Sequence, residues 1–353
     1  MTTAHPMSRT SAGAVPAASA TLWALGLIAA IALIYGIRFN APPVVSLQMI
    51  ADPLRSIDDI EARHLANSPL WLWLAHGLGI NGFAGWVLLS TTLTGLAVAG
   101  LVAHVVATFK TDAERGLALL LLAASPIFFH LLGWSGKADA LLVMAFLGLL
   151  WAPNGLAACL CAGLMVLALP VEAAAMIALT LMWKRPSATR AAAIAGGAAI
   201  GFAAHSVYLF ALGDIANYTM HAKGFLAADE TRPLAWTLGS LVLEFGWFWL
   251  ILAVAALRGL LRRTEIALLL AGALVCLYSA IPERPAALAT LPFVLMVIER
   301  IVAERPRLGK AALAGLGLLA LAHGEIAWRD GAVHLHTSHW PATIEEFRQW
   351  AHP

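Results

Sequence analysis

A chain of 353 residues that is 61% hydrophobic and only 12% charged has about half the charge of a soluble globular domain. Its formal net charge of +2 comes without any basic stripe interleaved with aromatic residues, which excludes nucleic acid as a partner. The apolar residues fall in runs of roughly 18 to 22, enough to cross a hydrocarbon core about 30 Å thick, so the composition predicts an all-α integral membrane protein.

In chain order, residues 1–19 are rich in Ala, Ser and Thr and predict a disordered cytoplasmic tail. Residues 20–328 predict a polytopic transmembrane domain, and 329–353 a short extracytoplasmic tail. The first run, Ala20 to Ile37, has neither a strongly basic start nor a small-residue cleavage site after it, so it is read as a retained span. Further spans are expected at Gly85 to Thr108 and Gly116 to Leu132. A compact short group follows at Ala140 to Trp151, Gly155 to Ala168 and Glu172 to Trp183. The last two of these are either separate spans or one helix broken at Pro170. Ala191 to Leu212, Leu238 to Leu257, Glu265 to Ala280, Ala286 to Val302 and Ala311 to Trp328 complete a set of about eleven.

Basic residues cluster at 184–190, 258–263 and 305–310. Lys and Arg near span ends mark the cytoplasmic side, so these clusters orient the chain with its amino terminus inside and its carboxy terminus outside. The expected location is a bacterial inner membrane. Cys159, Cys161 and Cys276 all lie inside apolar runs and read as packing residues. His334, His336 and His339 are spaced like metal ligands but have no Cys or acidic partners nearby. No metal or other cofactor is expected, and a divalent ion is not indicated.

Four outer segments carry the polar residues. The loop after the first span holds Asp52, Asp58, Asp59 and Glu61, with Arg55 and Arg63 between them. Within it, Asp52 to Ala66 predicts a short amphipathic helix lying on the membrane, because Ile57, Ile60 and Leu65 share a face. The second segment is Gly133 to Asp139, with Lys137 and Asp139. The third is Gly213 to Pro233, and the fourth is the turn Ile281 to Pro285, with Arg284. Glu172 follows Pro170 at an outer helix end, where an acid is either favoured by the helix dipole or serves a function. Glu244 lies in an apolar run and invites the same two readings. Acids and bases gathered at one membrane surface suit a lipid-linked phosphate substrate. Cations neutralise the phosphate at headgroup level, and a carboxylate takes a proton from an acceptor hydroxyl. Lys137 and Arg284 are the candidate cations; Asp139 and Glu172 complete the candidate substrate site. Asp52, Asp58 and Asp59 are the candidate catalytic bases, with Asp52 nearest the membrane exit.

Three motifs resemble the GT-C superfamily of membrane glycosyltransferases, in particular bacterial relatives of protein O-mannosyltransferases and lipid A aminoarabinose transferases. Ser68-Pro69-Leu70-Trp71-Leu72-Trp73-Leu74 is similar to the family's Pro-Pro-Leu-Tyr stretch. Ser125-Pro126, followed by Gly136-Lys137-Ala138-Asp139, is similar to its Ser-Pro segment with a basic residue shortly before an acid. Pro282-Glu283-Arg284 through Leu291-Pro292 resembles its late Arg-Tyr to Leu-Pro segment. The resemblance implies transfer of a sugar from a polyprenyl-phosphate donor to a lipid, glycan or protein acceptor on the outer face. The family's acid soon after the first span has no counterpart at Pro43 or Val44, which leaves Asp52 as the nearest substitute. A transporter or flippase of a lipid-linked substrate, and an inactive assembly partner of the same fold, are the competing expectations.

Overall fold

The computed structural model describes residues 22, 26, 29, 33, 36–37, 44–55, 65–133, 135–213, 248–275, 283–303, 314–315, 317–318, 325–329, 332–336, 344–345 and 348. Asp58, Asp59, Glu61, Glu244, Cys276, His339 and most of the predicted first span lie outside the described residues, as do 214–247 and the side chain of Arg284.

The described body is helical. Two short helices, α1 (Val44–Ala51) and α2 (Pro69–Gly77), precede the 26-residue α3 (Phe83–Thr108). A capping box opens α4 (Asp112–Ala123): the Thr111 hydroxyl accepts from the Glu114 amide, and the Glu114 carboxylate accepts from the Thr111 amide. The chain then bends by 56° into α5 (Pro126–Gly133). Pro126 causes this bend, since it donates no backbone hydrogen bond and drives the residue before it out of helical geometry. Next come α6 (Asp139–Trp151), α7 (Gly155–Ala168), capped by the Asn154 side chain, and α8 (Pro170–Lys184). Arg185 ends α8 in the left-handed region at φ 44°. Ser187 caps the 24-residue α9 (Ala188–Ala211). The remaining helices are α10 (Phe248–Leu257), α11 (Arg263–Val275), α12 (Glu283–Ala289) and α13 (Leu291–Ala303).

Among the described residues α3 and α9 are long and apolar enough to cross a membrane, and the bent pair α4–α5 is a third candidate. The predicted short group exists as three separate helices, so Gly155 to Trp183 is not one broken rod. At 13, 14 and 15 residues, α6, α7 and α8 reach only about 20 to 22 Å of a core about 30 Å thick. The span expected at Ala286 to Val302 is divided at Thr290 into α12 and α13, with Pro292 following the break. The span expected to end at Trp328 gives way to a strand, β1 (Glu325–Arg329), antiparallel to β2 (Ala332–His336), with Ala327 opposite His334. In the sequence Ile326, Trp328, Val333 and Leu335 recur every second residue within the two strands, which is a strand period.

Register fixes how the helices stand. Trp151 donates from Nε1 to His104 Nδ1 at 3.3 Å, across 47 positions, and Gly100 faces Leu147 one turn earlier. α3 and α6 are therefore parallel. An offset of 38 relates α7 to α9: Arg190 donates to the Ala152 carbonyl at 2.8 Å, and Gly155, Cys159 and Gly163 meet Ala193, Gly197 and Gly201 in turn. These two helices are also parallel, and their glycines bring backbone against backbone. Lys184 reaches Glu299 at 3.2 Å from the end of α8 to the end of α13. Arg300 clasps Glu265 with two bonds, of 2.7 and 2.8 Å, and also donates to the Leu260 carbonyl. These contacts gather His104, Trp151, Lys184, Arg190, Glu265 and Arg300 at one end of the bundle. It is the end that carries the basic clusters at 184–190 and 258–263.

Candidate functional site

At the opposite end, two of the short helices, α6 and α8, carry an acid in their first turn. Asp139 opens α6 and is 1% exposed, and Glu172 lies in the first turn of α8 and is 4% exposed. Each is twelve residues from its helix's other end, at Trp151 and Lys184. Both therefore stand about 18 Å above the basic end, within the depth of a hydrocarbon core. Carboxylates at such depth are costly and are retained where they serve a pathway or a site. The helix dipole at each amino end offsets part of that cost.

The turn before Asp139 was expected to be an open outer loop, and the structure buries it. Ser135 is buried and its hydroxyl is 3.3 Å from that of Thr94 on α3. Gly136 takes φ 99°, a conformation that favours glycine, and this folds the chain back so that Ala138 and Asp139 enter the core. Lys137 stays half-buried on the same turn. Arg284 belongs to α12, which packs against both α8 and α5, and Ala175 of α8 sits on Ala286 and Ala289. The backbone at Arg284 and the amino end of α8, which carries Glu172, thus belong to one packed unit, with the turn bearing Lys137 leaving α5 beside it.

Asp52 was expected to open a helix. Instead it follows the last turn of α1, its amide donating to the Gln48 carbonyl, because Pro53 cannot continue the helix. Its side chain is exposed, and Oδ1 accepts from the Leu54 amide at 3.3 Å. Of the predicted amphipathic helix 52–66, residues 52–55 form a turn, 65–66 are helical, and 56–64 lie outside the described residues. The Tyr208 hydroxyl donates to the Pro53 carbonyl at 2.8 Å. The offset of 38 between α7 and α9 carries Tyr208 to the level of Pro170, two residues before Glu172. Asp52 therefore stands at the rim of the end where Glu172 is buried. α1 and α2 pack on each other and α2 on α7, and His76 Nδ1 lies 2.7 Å from the Ile50 carbonyl, so the two short helices roof the short group.

Sequence reasoning passed over the polar stripe on α3. Trp86, Ser90 and Thr94 recur every four residues and are all buried, and Trp71 of α2 meets Trp86 edge-on at 5.2 Å between ring centroids. The spacing alone would have shown it. Among the described residues no group of three or more His, Cys, Asp or Glu could hold a metal ion. The chain matches no protein-family model, no curated protein and no solved structure.

Proposed function

We propose that the chain is a membrane glycosyltransferase that moves a sugar from a polyprenyl-phosphate donor to a lipid, glycan or protein acceptor. In this reading it sits in a bacterial inner membrane with its basic clusters in the cytoplasm, and it works at the opposite face. The observation that carries the reading is the pair of carboxylates buried at the amino ends of helices too short to cross, Asp139 and Glu172. Beside Glu172, α12, whose backbone carries Arg284, packs on α8 and on α5, the helix from which the turn bearing Lys137 leaves. Two of the three motifs that resemble GT-C enzymes, those at Ser125 to Asp139 and Pro282 to Pro292, run through these same elements.

Each residue then has a role. Lys137 and Arg284 neutralise the donor phosphate, which is the leaving group, at the depth where the short helices end. Asp139 and Glu172 orient the sugar and the two cations. Asp52, exposed at the rim, meets an acceptor arriving from water. The acceptor oxygen attacks the anomeric carbon, the bond from that carbon to the phosphate oxygen breaks, and the acceptor proton passes to the Asp52 carboxylate.

The test is transfer of radiolabel from polyprenyl-phosphate sugars to a membrane extract by the purified protein in proteoliposomes. Wild-type transfer is expected to fall about a hundredfold or more in Asp52→Asn, the usual size of a general-base contribution, with insertion unchanged. Asp139→Asn and Glu172→Gln are expected to lose activity too. Full activity in Asp52→Asn removes it as the base. A correctly folded wild type that transfers no sugar from any donor refutes the enzyme reading and leaves the assembly-partner alternative.

A further inference from the structure

The turn between α10 and α11, at the basic end of the bundle, is held from three sides. Gly259, at φ 69°, closes α10. Its amide donates to the Ala256 carbonyl and that of Leu260 to the Ala255 carbonyl, both at 2.9 Å, the paired bonds of a Schellman ending. Leu260 and Leu261 are buried behind it. On the far side the Arg262 amide donates to the Glu265 carboxylate at 2.9 Å, which closes the start of α11 as the acid of a capping box does. Arg300 of α13 clasps both oxygens of the same carboxylate and also donates to the Leu260 carbonyl. The backbone of 258–263 is therefore fixed by the fold itself.

This fixed turn presents charge that its surroundings do not neutralise. Arg258, Arg262 and Arg263 are exposed, and among the described residues none of their guanidinium groups takes part in a hydrogen bond or ion pair. The acid of α11, Glu265, is taken by Arg300, and that of α13, Glu299, by Lys184 at 3.2 Å. Basic residues at span ends orient a membrane protein without binding a particular molecule. Here the arginines stand on a backbone that is already in place, so they meet phosphate oxygens with little left to order. Leu257, the residue before Arg258, is 87% exposed and adds an apolar surface directly beside the cations. A soluble anion would cover the arginines and leave Leu257 bare, whereas a phospholipid covers both.

We propose that the turn 258–263 is a docking site for the phosphate headgroup of an anionic phospholipid in the leaflet at this end of the bundle. Arg258, Arg262 and Arg263 meet the phosphate, and Leu257 lies against the first methylenes of the lipid chain. The site is separate from the proposed transfer site at the opposite end and does not depend on it.

The test uses the full-length protein in phosphatidylcholine vesicles with increasing mole fractions of phosphatidylglycerol that carries a diazirine on its headgroup. After photolysis, label on residues 248–263 is quantified by mass spectrometry. Labelling should saturate with phosphatidylglycerol, while phosphatidylcholine bearing the same diazirine should label only in proportion to its mole fraction. Arg262→Gln should raise the half-saturating fraction about fivefold, and the double variant with Arg263→Gln at least about tenfold, the size expected for cations at an anionic lipid. Thermal unfolding should be unchanged, because exposed cations contribute little to stability. Lys110→Gln removes an exposed cation from the turn between α3 and α4 and should leave the half-saturating fraction within about twofold, as for a charge that only adds to the general surface potential. An equal effect of Lys110→Gln and Arg262→Gln overturns the site, since surface charge alone would then explain the attraction. Labelling by phosphatidylglycerol that is absent, does not saturate or is unchanged in the double variant also overturns it. Competition by millimolar glycerol phosphate assigns the arginines to a free anion and overturns the lipid.

Discussion

The parallel contact of α7 and α9 makes an unusually sharp demand on one glycine. A Cβ placed at Gly197 would lie 2.0 Å from the Cys159 carbonyl oxygen, 2.7 Å from its carbon and 2.8 Å from its Cα. All three are backbone atoms, so no side chain can turn aside, and the helices must part by more than 1 Å to reach ordinary contact. Parting them also loosens the neighbouring steps, where Gly163 and Gly201 already touch through the backbone. Overpacking of this kind costs about 1 to 3 kcal/mol, here toward the upper end, and the better helix propensity of alanine returns at most about 1 kcal/mol. Gly196, the adjacent residue, has nothing within 4 Å of its would-be Cβ, so Gly196→Ala should gain that propensity without a clash. The two variants should therefore shift stability in opposite senses, about 2 to 3 kcal/mol apart. Reversible unfolding by SDS in bicelles, followed by circular dichroism, measures the difference. If Gly197→Ala is as stable as wild type, or Gly196→Ala is equally destabilised, the close helix pair is wrong.

Three further outcomes are expected. Glu265→Ala removes the two carboxylate bonds that hold Arg300, which also donates to the Leu260 carbonyl; because Arg300 keeps 28% of its side chain exposed, the cost should be about 2 kcal/mol, below the range for a fully buried pair, read in the same unfolding assay. Lys137→Gln and Arg284→Gln should each raise the donor KM severalfold with little loss of thermal stability, as expected for cations that bind substrate rather than hold the fold; a change in stability with KM intact would contradict their role. With the native cysteines replaced, Ser338→Cys should react with a membrane-impermeant maleimide on intact cells, and labelling only after permeabilisation would reverse the proposed orientation.

Much of the helical framework is legible in the sequence, for local reasons. Thr111 with Glu114, Asn154, Ser187 and the prolines at 126 and 170 mark where helices start, and the boundaries of α3, α6, α7 and α9 fall within a few residues of the expected ones. The bounds read from hydropathy already make α6, α7 and α8 too short for a full crossing, yet they count among the expected spans, because an apolar run has the same composition whether it spans or ends against other protein. For the same reason the Gly133 to Asp139 turn read as an open loop. Its burial depends on Gly136 turning the chain and on the contact of Ser135 with Thr94, 41 positions away. Asp52 was misplaced by one element: Pro53 ends a helix there, while the acid's level near Glu172 depends on the long-range bond from Tyr208 to Pro53. The β1–β2 hairpin was hidden by its apolar residues, which extend the preceding run although they alternate with a strand period.

The central claim is that a lipid-linked phosphate binds where the short helices end, and cross-linking tests it most directly. A polyprenyl phosphate carrying a diazirine beside its phosphate would be photolysed with the full-length protein in proteoliposomes, and the labelled peptides identified by mass spectrometry. The account predicts labelling on the turn 133–139, the first turns of α8 and α12, or both, with competition by unlabelled polyprenyl phosphate. Labelling confined to the outward-facing residues of α9, such as Ile200, Val207 and Phe210, and unaffected by competitor, would contradict it.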